Sequence, residues 1–376
     1  MLPEIVLTVA MFLLTASDDA TQDEEIEGLG EDEDRSLGDY PIDTMLIRNE
    51  TRTVHDIIRR IEKGSYIMDP DFQRDFIWPD DKQSKLIESV LMRIPLPVFY
   101  LAEDAEGRMI VVDGLQRLST FQRFVANELK LKLPEQKELN RKTFSQLSPK
   151  LQNRIEDCNL VLYIIDSKVP ERARLDIFER VNGGVPLTRQ QMRNCLFTGQ
   201  STNFLKVQAN SDMFLKATGK SLRRETMRDR EFINRYCAFR LIGVQNYKGD
   251  MDEFLAEALQ KMNSMSVDEI QDLERSFQLA VSNNYRVFEQ HAFRKHSAGN
   301  TNRSVLNASL WDVFSTGLDS YDTRTIEANK DKILRGFYSL MRDDKFIKAV
   351  TYGTNDTQRV KERFQIAYDM LSEVIK

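Results

Sequence analysis

Five consecutive residues, Asp113-Gly114-Leu115-Gln116-Arg117, have the types and the order needed to hold a phosphate group. They follow an apolar run, Met109-Ile110-Val111-Val112, that predicts a strand, and residues 118–129 after them predict a helix. A strand that runs directly into a helix presents backbone N–H groups and the positive end of the helix dipole, which together favour an anion. Gly114 lets the backbone turn tightly and lets a ligand approach it closely.

The two charged side chains of this turn have chemistry of their own. Arg117 offers a bidentate fork for phosphate oxygens. Asp113 could hold a metal ion, a ribose hydroxyl or an attacking water molecule. The alternative is an ordinary tight turn, in which Asp113 caps the helix and Arg117 pairs with a surface carboxylate. These five residues leave both interpretations open.

Two further loops place an arginine beside an amide side chain: Phe72-Gln73-Arg74 and Arg180-Val181-Asn182-Gly183-Gly184. A single arginine is most often a solvated surface charge. Loops that join the elements of a rigid sheet are, however, where binding residues gather. Three such loops in one half of the chain favour a shared polar pocket, although the sequence does not show that they converge.

The elements that must hold these loops follow from apolar spacing and from turn residues. The sequence predicts helices at residues 54–61, at residues 171–180 and from Thr188 onward, a hairpin of residues 98–101 and 109–112, and a central strand at residues 159–165. Beyond about residue 200 strand patterns largely disappear and helical spacing dominates. We therefore predict an α+β protein with an apolar start and acidic disordered tail at residues 1–35, an αβ domain at 36–200 and a helical domain at 201–376.

The net charge of −6 conceals an uneven distribution along the 376 residues. Residues 1–35 hold eleven acidic residues and one basic residue, so the rest has 52 basic and 48 acidic residues and a charge of +4. This mildly basic body permits contact with nucleic acid without requiring it. Arg223, Arg224, Arg228 and Arg230 are interleaved with acidic residues, so they predict either a salt-bridged helix surface or a phosphate-tracking face for DNA.

The N-terminal segment and the cysteines point to the cytoplasm. Residues 1–16 are mostly apolar, but their apolar run is not preceded by the Lys or Arg that is typical of a secretory signal peptide. They are also shorter than the roughly 20 residues of a membrane span. We therefore expect a disordered extension or an upstream start site, and no membrane association. The acidic residues 17–34 predict a disordered linker. Cys158, Cys195 and Cys237 are too few and too scattered for a disulfide framework, so free thiols in a reducing cytosol are expected.

The order of several motifs resembles one family. Four segments, taken in order, closely resemble the N-terminal domain of GmrSD-type, modification-dependent restriction systems. They are Phe72-Gln73-Arg74 with a following Trp78, then Ile94-Pro95-Leu96-Pro97, then Val111-Val112-Asp113-Gly114-Leu115-Gln116-Arg117-Leu118-Ser119-Thr120, and then Arg180-Val181-Asn182-Gly183-Gly184-Val185-Pro186-Leu187. The hallmark of that family is Asp-Gly-Gln-Gln-Arg. The resemblance runs from about Asp43 to the C-terminus, because Met227-Arg228-Asp229-Arg230-Glu231-Phe232 and Tyr352-Gly353-Thr354-Asn355 look like late family segments.

The resemblance implies a fold and an activity. It implies a ParB/sulfiredoxin-like αβ nucleotide-binding domain followed by a mainly helical domain, and a cytoplasmic module of phage defence that binds or hydrolyses a nucleoside triphosphate and couples this to DNA sensing. ATP, GTP and CTP are not distinguished, and Mg²⁺ is expected if hydrolysis occurs. The implied catalytic residues are Asp113, Gln116 and Arg117, with Asp113 also as metal ligand; the implied nucleotide-binding residues are Gln73, Arg74, Gly114, Arg180 and Asn182.

The chain departs from the family pattern at Leu115, where the hallmark has Gln. If that amide positions water or phosphate, hydrolysis is lost while binding can survive. If the residue faces the core, the change is harmless.

Longer family members carry a His-Asn-His nuclease, and no such pattern surrounds His55, His291 or His296. We therefore expect no nuclease activity in this chain, and we expect a separate nuclease subunit as a partner, with oligomers possible. Two alternatives stay open: a DNA-binding module that senses phosphates or modified bases without hydrolysis, and a non-catalytic interaction protein with a degenerate pocket.

Overall fold

The computed structural model describes residues 26–29, 47–68, 78–104, 106–169, 171–181 and 188–375. In chain order the first elements are β1 (Ile26–Glu27), β2 (Ile47–Thr53), α1 (Val54–Glu62), β3 (Tyr66–Ile67), α2 (Asp80–Leu91), β4 (Phe99–Glu103), β5 (Met109–Asp113), α3 (Leu115–Val125), α4 (Pro149–Glu156), β6 (Asn159–Ile165), α5 (Glu171–Val181) and α6 (Arg189–Leu196). They are followed by α7 (Gln200–Ala209), α8 (Asp212–Thr218), α9 (Arg228–Leu241), α10 (Met251–Ser264), α11 (Val267–Phe288), β7 (Leu306–Asn307), α12 (Ala308–Gly317), α13 (Thr323–Leu340), α14 (Asp344–Thr351) and α15 (Thr357–Val374). The α+β class and the mainly helical second half are therefore confirmed.

Strands β2 to β6 form one mixed sheet with the order β2-β6-β4-β5-β3. Strands β4 and β5 make the predicted antiparallel hairpin. Strand β6 lies between β2, to which it runs antiparallel, and β4, to which it runs parallel. Leu160, Leu162 and Ile164 on one face of β6 are buried, whereas Val161 on the other face is 36% exposed. The central strand predicted from the sequence is confirmed.

The two faces of the sheet belong to different cores. Leu101, Val111 and Leu162 pack with residues of α1 to α4 in one buried cluster. Ala102 and Val112, on the opposite face, belong to the large cluster formed by α5, α6 and the later helices. Helices α5 and α6 thus form the layer through which the sheet packs on the helical half.

Helix α3 begins at Leu115, three residues earlier than the sequence suggested, and it ends at Val125. Leu115 and Leu118 are both buried, so the apolar stripe of the helix already includes its first residue. Asn127, with φ 63°, ends the helical path, which leaves Leu129 outside the helix.

Strand β1 lies within the acidic segment for which the sequence predicts disorder. Residues 26–29 are ordered here, because β1 pairs in parallel with β7 in the helical half. The expectation of disorder therefore does not hold for these four residues. The three cysteines are free, as expected, and Cys195 and Cys237 are buried. None of the helices in the described part of the chain is both long and apolar enough to cross a bilayer.

His296 makes the stability of the helical half sensitive to acid. Its ring is 7% exposed and stacks on Phe337 at 4.6 Å and on His291 at 4.8 Å. Burial lowers the pKa of His296, its hydrogen bond with the Arg294 carbonyl opposes this, and His291 lowers it further. Protonation is thus harder in the folded than in the unfolded chain, so stability present above the ordinary pKa of about 6.5 is lost as the pH falls below it.

We expect His296→Gln to flatten this pH dependence. The urea midpoint of the unmodified chain should fall between about pH 8 and about pH 5.5, and that of His296→Gln should fall less. His55→Gln, which removes an exposed histidine, is the matched control and should leave the slope unchanged. Equal slopes for the unmodified chain and His296→Gln would contradict the assignment.

Candidate functional site

The end of β5 is irregular where it reaches the predicted site. Leu101 pairs with Val111, but the preceding residue Tyr100 pairs with Asp113, so the register shifts by one residue at Val112. Such a bulge bends a strand and re-aims the side chain that follows it. The Asp113 side chain is 35% exposed at this point, whereas Val112 is buried in the helical core. The bulge therefore gives Asp113 access to solvent at the edge of a packed sheet.

Gly114 occupies a position that no other residue can take without strain. Its φ of 98° is left-handed, and it forms the N-cap of α3 without any side-chain cap. A Cβ atom built on Gly114 would lie 2.3 Å from Cδ1 of Phe99. The glycine in the motif is therefore required both by backbone conformation and by the aromatic ring against which the turn packs.

Leu115 points into the core beneath the turn. It is 7% exposed and belongs to the cluster on the α1 to α4 face of the sheet. At this position the hallmark has Gln, which would either position water or phosphate or face the core. The structure agrees with the second alternative, since Leu115 faces the core.

Arg117 is engaged within the chain. Its guanidinium donates to the carbonyls of Pro97 and Val98 and, at 2.8 Å, to Oδ2 of Asp113, and it lies 4.2 Å from the centroid of the Phe99 ring. The residue is only 8% exposed. Burial lowers the pKa of Arg117, and the Asp113 carboxylate opposes this. The fork that could clamp phosphate oxygens instead joins the Ile-Pro-Leu-Pro segment to the turn and orients Asp113.

Gln116 ties a second loop to the turn. Its Oε1 accepts a hydrogen bond from the backbone N–H of Trp78 at 3.0 Å. Trp78 lies four residues after Arg74 in the chain, so this hydrogen bond fixes the position of Trp78 at the start of α3. Gln73 and Arg74 themselves lie outside the described residues.

The third loop runs between α5 and α6, both of which cover the Val112 face of the sheet. Arg180 is exposed near the end of α5, and Asn182 lies outside the described residues. Arg174 fastens α5 to the sheet by donating to the carbonyl of Glu103 at 3.0 Å. Thr188 caps α6, as predicted, and its hydroxyl also donates to the carbonyl of Thr226. The two ends of this loop are thus fixed, one to the sheet and one to the helical half.

Within the described residues, no three His, Cys, Asp or Glu side chains are grouped so that they could hold a metal ion. Asp113 supplies one partly exposed carboxylate. Mg²⁺ is commonly held by one or two carboxylates together with the phosphates of a substrate and several waters. Asp113 is therefore suited to a metal ion that arrives with a nucleotide.

Sequence reasoning missed the carbonyls of Pro97 and Val98 and the ring of Phe99, which hold Arg117. The Ile-Pro-Leu-Pro motif was a signal for this segment, but its partner is 20 residues away in the chain. The start of α9 contains one ion pair of the kind that the salt-bridged interpretation predicts. Arg228 pairs with Glu231 at 2.6 Å, and Asp229 is buried.

Comparison with protein-family models gives a match for the αβ half. Residues 54–198 match the family model described as the GmrSD restriction endonuclease, N-terminal domain. This range begins at α1, ends just after α6 and includes the whole turn between β5 and α3. No curated protein and no solved structure matches the chain.

Proposed function

We propose that residues 54–198, which match the family model of the GmrSD restriction endonuclease N-terminal domain, form such a domain and bind a nucleoside triphosphate at the turn between β5 and α3. The family places the domain in a restriction or phage-defence module. In that setting it acts as the nucleotide-binding sensor, it couples nucleotide binding to DNA, and a separate nuclease subunit cleaves. We also propose that the αβ half has a ParB/sulfiredoxin-like fold.

The observation that carries this proposal is the geometry at Asp113. A bulged strand end places a partly exposed carboxylate directly before the uncapped start of an eleven-residue helix. A helix start with a preceding glycine turn suits a phosphate group, and a neighbouring carboxylate suits the metal ion that accompanies it. The Gln116 hydrogen bond holds Trp78, which follows the Phe-Gln-Arg motif by four residues, beside the same helix start.

The roles of the individual side chains follow from their contacts. Asp113 holds Mg²⁺ or orients a water molecule. Gln116 and Arg117 are positioning residues in this arrangement, because their side chains bind Trp78 and the Pro97–Val98 carbonyls. Arg74 and Arg180 of the other two loops then neutralise the charge of the phosphates, and Gln73 and Asn182 of the same loops hydrogen-bond the nucleotide.

Thermal unfolding with added nucleotide tests the proposal. A ligand at about one hundred times its Kd stabilises the folded state by about 2.7 kcal/mol, which raises the Tm of a chain of 376 residues by roughly 3–5 °C. We expect a rise of this size for at least one of ATP, GTP and CTP in the presence of Mg²⁺. Asp113→Asn should retain the hydrogen bond to Arg117, and with it the fold, but should lose most of the Mg²⁺-dependent part of the rise.

Asp81→Asn is the matched control, since it removes an exposed carboxylate of α2 that is not part of the Asp113–Arg117 turn. It should leave the nucleotide-dependent rise unchanged. No rise with any of the three triphosphates, with or without Mg²⁺, would refute the proposal. Phosphate release by the chain then distinguishes binding from hydrolysis.

A further inference from the structure

The helical half holds a short peptide segment in a groove that no part of the proposed nucleotide site uses. Residues 26–29, Ile-Glu-Gly-Leu, lie against β7 and the start of α12. Ile26 pairs with Leu306 and Glu27 with Asn307 in parallel register. The other edge of β7 bridges to Arg294, so the segment occupies the remaining edge as an added strand.

The contacts in the groove recognise both side chains and backbone. The Glu27 carboxylate accepts hydrogen bonds from Lys295 Nζ at 2.5 Å and from Asn307 Nδ2 at 3.3 Å. Ser309 and Asn355 donate to the carbonyls of the two residues that follow Glu27. Because each polar group of the groove contacts a different atom of the segment, the arrangement is selective for one register.

Gly28 is the narrowest point of the groove. Its φ is 76°, and a Cβ atom there would lie 3.1 Å from Ser309 Oγ and 3.2 Å from the Asn307 side chain. A residue with a side chain is therefore strained by conformation and crowded by the wall. Ile26 and Leu29, on either side of the Glu-Gly pair, pack against the hydrophobic core of the helical half.

We propose that this groove, lined by Lys295, Leu306, Asn307, Ser309 and Asn355, is a recognition site for an extended peptide of the pattern apolar–Glu–Gly–apolar. Its occupant is the chain's own Ile26-Glu27-Gly28-Leu29, a sequence that occurs once in the protein. Seating this segment tethers the acidic run of residues 18–34 to the helical half. The tether is reversible, since four residues and one ion pair hold it, and a peptide of the same sequence competes for the groove.

The test uses the full chain and a fluorescein-labelled synthetic peptide of residues 20–34. Gly28→Val in the chain removes the chain's own segment from the groove and leaves the groove walls unaltered. Fluorescence anisotropy should then show saturable binding of the peptide to the Gly28→Val chain. The affinity of the unmodified chain for the peptide should be weaker by at least about tenfold, because its groove is already filled.

A charge swap identifies the contact. In the Gly28→Val background, Lys295→Glu should abolish binding of the peptide, and a peptide carrying Glu27→Lys should bind this variant again. A scrambled peptide of identical composition controls for attraction between acidic peptides and the basic body.

Equal binding of the peptide by the Gly28→Val and unmodified chains would overturn the proposal, as would equal binding of the scrambled peptide. The failure of these measurements would leave the nucleotide-dependent thermal shift untouched, since the groove and the β5–α3 turn share no residue.

Discussion

Asp312→Asn is expected to lower the free energy of unfolding by about 3–5 kcal/mol, because it removes the carboxylate that Arg235 and Arg363 share within the described core. Arg235 pairs with both carboxylate oxygens, at 2.8 and 2.6 Å, and Arg363 contacts Oδ2 at 2.9 Å. All three side chains are at most 1% exposed. Asparagine preserves the shape of Asp312, so the loss reports charge and not packing.

The positive charges of Arg235 and Arg363 are compensated by neighbouring carboxylates to different extents. Burial acts to lower the pKa of Arg235. The Asp312 carboxylate, which Arg235 contacts through both oxygens, and the Glu231 carboxylate outweigh burial, so the pKa of Arg235 is raised. Burial lowers the pKa of Arg363 to about 10, Asp312 opposes this, and Arg235 adds to the lowering. Without the carboxylate, two buried guanidinium groups repel one another in a region of low polarity.

Urea denaturation measures the loss. Asp272→Asn is the matched control, because Asp272 pairs with Arg275 on the surface of α11 and both side chains are mostly exposed. Its effect should stay within about 0.5 kcal/mol. A loss below about 1 kcal/mol for Asp312→Asn would contradict the assignment of Asp312 as the carboxylate that compensates both buried arginines.

Gly114→Ala should abolish the nucleotide-dependent rise in Tm and destabilise the chain by about 2–4 kcal/mol. Part of this cost is the left-handed backbone, which an alanine adopts with strain. The rest is the collision of the new methyl group with the Phe99 ring, whose Cδ1 lies 2.3 Å from the Cβ position. Relief of that collision would move Asp113 and Arg117 out of register, so binding is lost together with stability.

Gly64→Ala separates the two costs. Gly64 also has a left-handed φ, 71°, but no heavy atom lies within 4 Å of a Cβ atom built there. We expect this control to lose about 1–2 kcal/mol from backbone strain and to retain nucleotide binding. Combining Gly114→Ala with Phe99→Leu should restore part of the difference, which a double-mutant cycle quantifies. Equal losses for the two glycines would show that Phe99 does not shape the turn.

Local patterns predicted much of the αβ half. The β4–β5 hairpin, the internal strand β6 and the Thr188 cap were readable because each depends on residues near one another in the chain. The inward direction of Leu115 was also readable in principle, since Leu115 and Leu118 share one face of α3 once the helix is begun at Leu115.

The hydrogen-bond partners of the site side chains could not be predicted from local sequence patterns. Gln116 meets Trp78 across 38 positions, and Asn307 meets Glu27 across 280. A hydrogen-bonding side chain does not reveal its partner in its own sequence neighbourhood. Arg117 was therefore assigned to an external phosphate, and the acidic segment around Glu27 was expected to be disordered throughout.

The register shift at the end of β5 has a consequence for communication between the two halves. Val112 is embedded in the helical core, and its neighbour Asp113 stands at the proposed nucleotide site. A ligand that displaces Asp113 also displaces Val112, whose side chain is packed in the helical half, so the strand end couples the two halves. This coupling acts in both directions. If a second ligand binds the helical half and shifts Val112, it changes the affinity for the nucleotide by the same factor as the nucleotide changes the affinity for that second ligand.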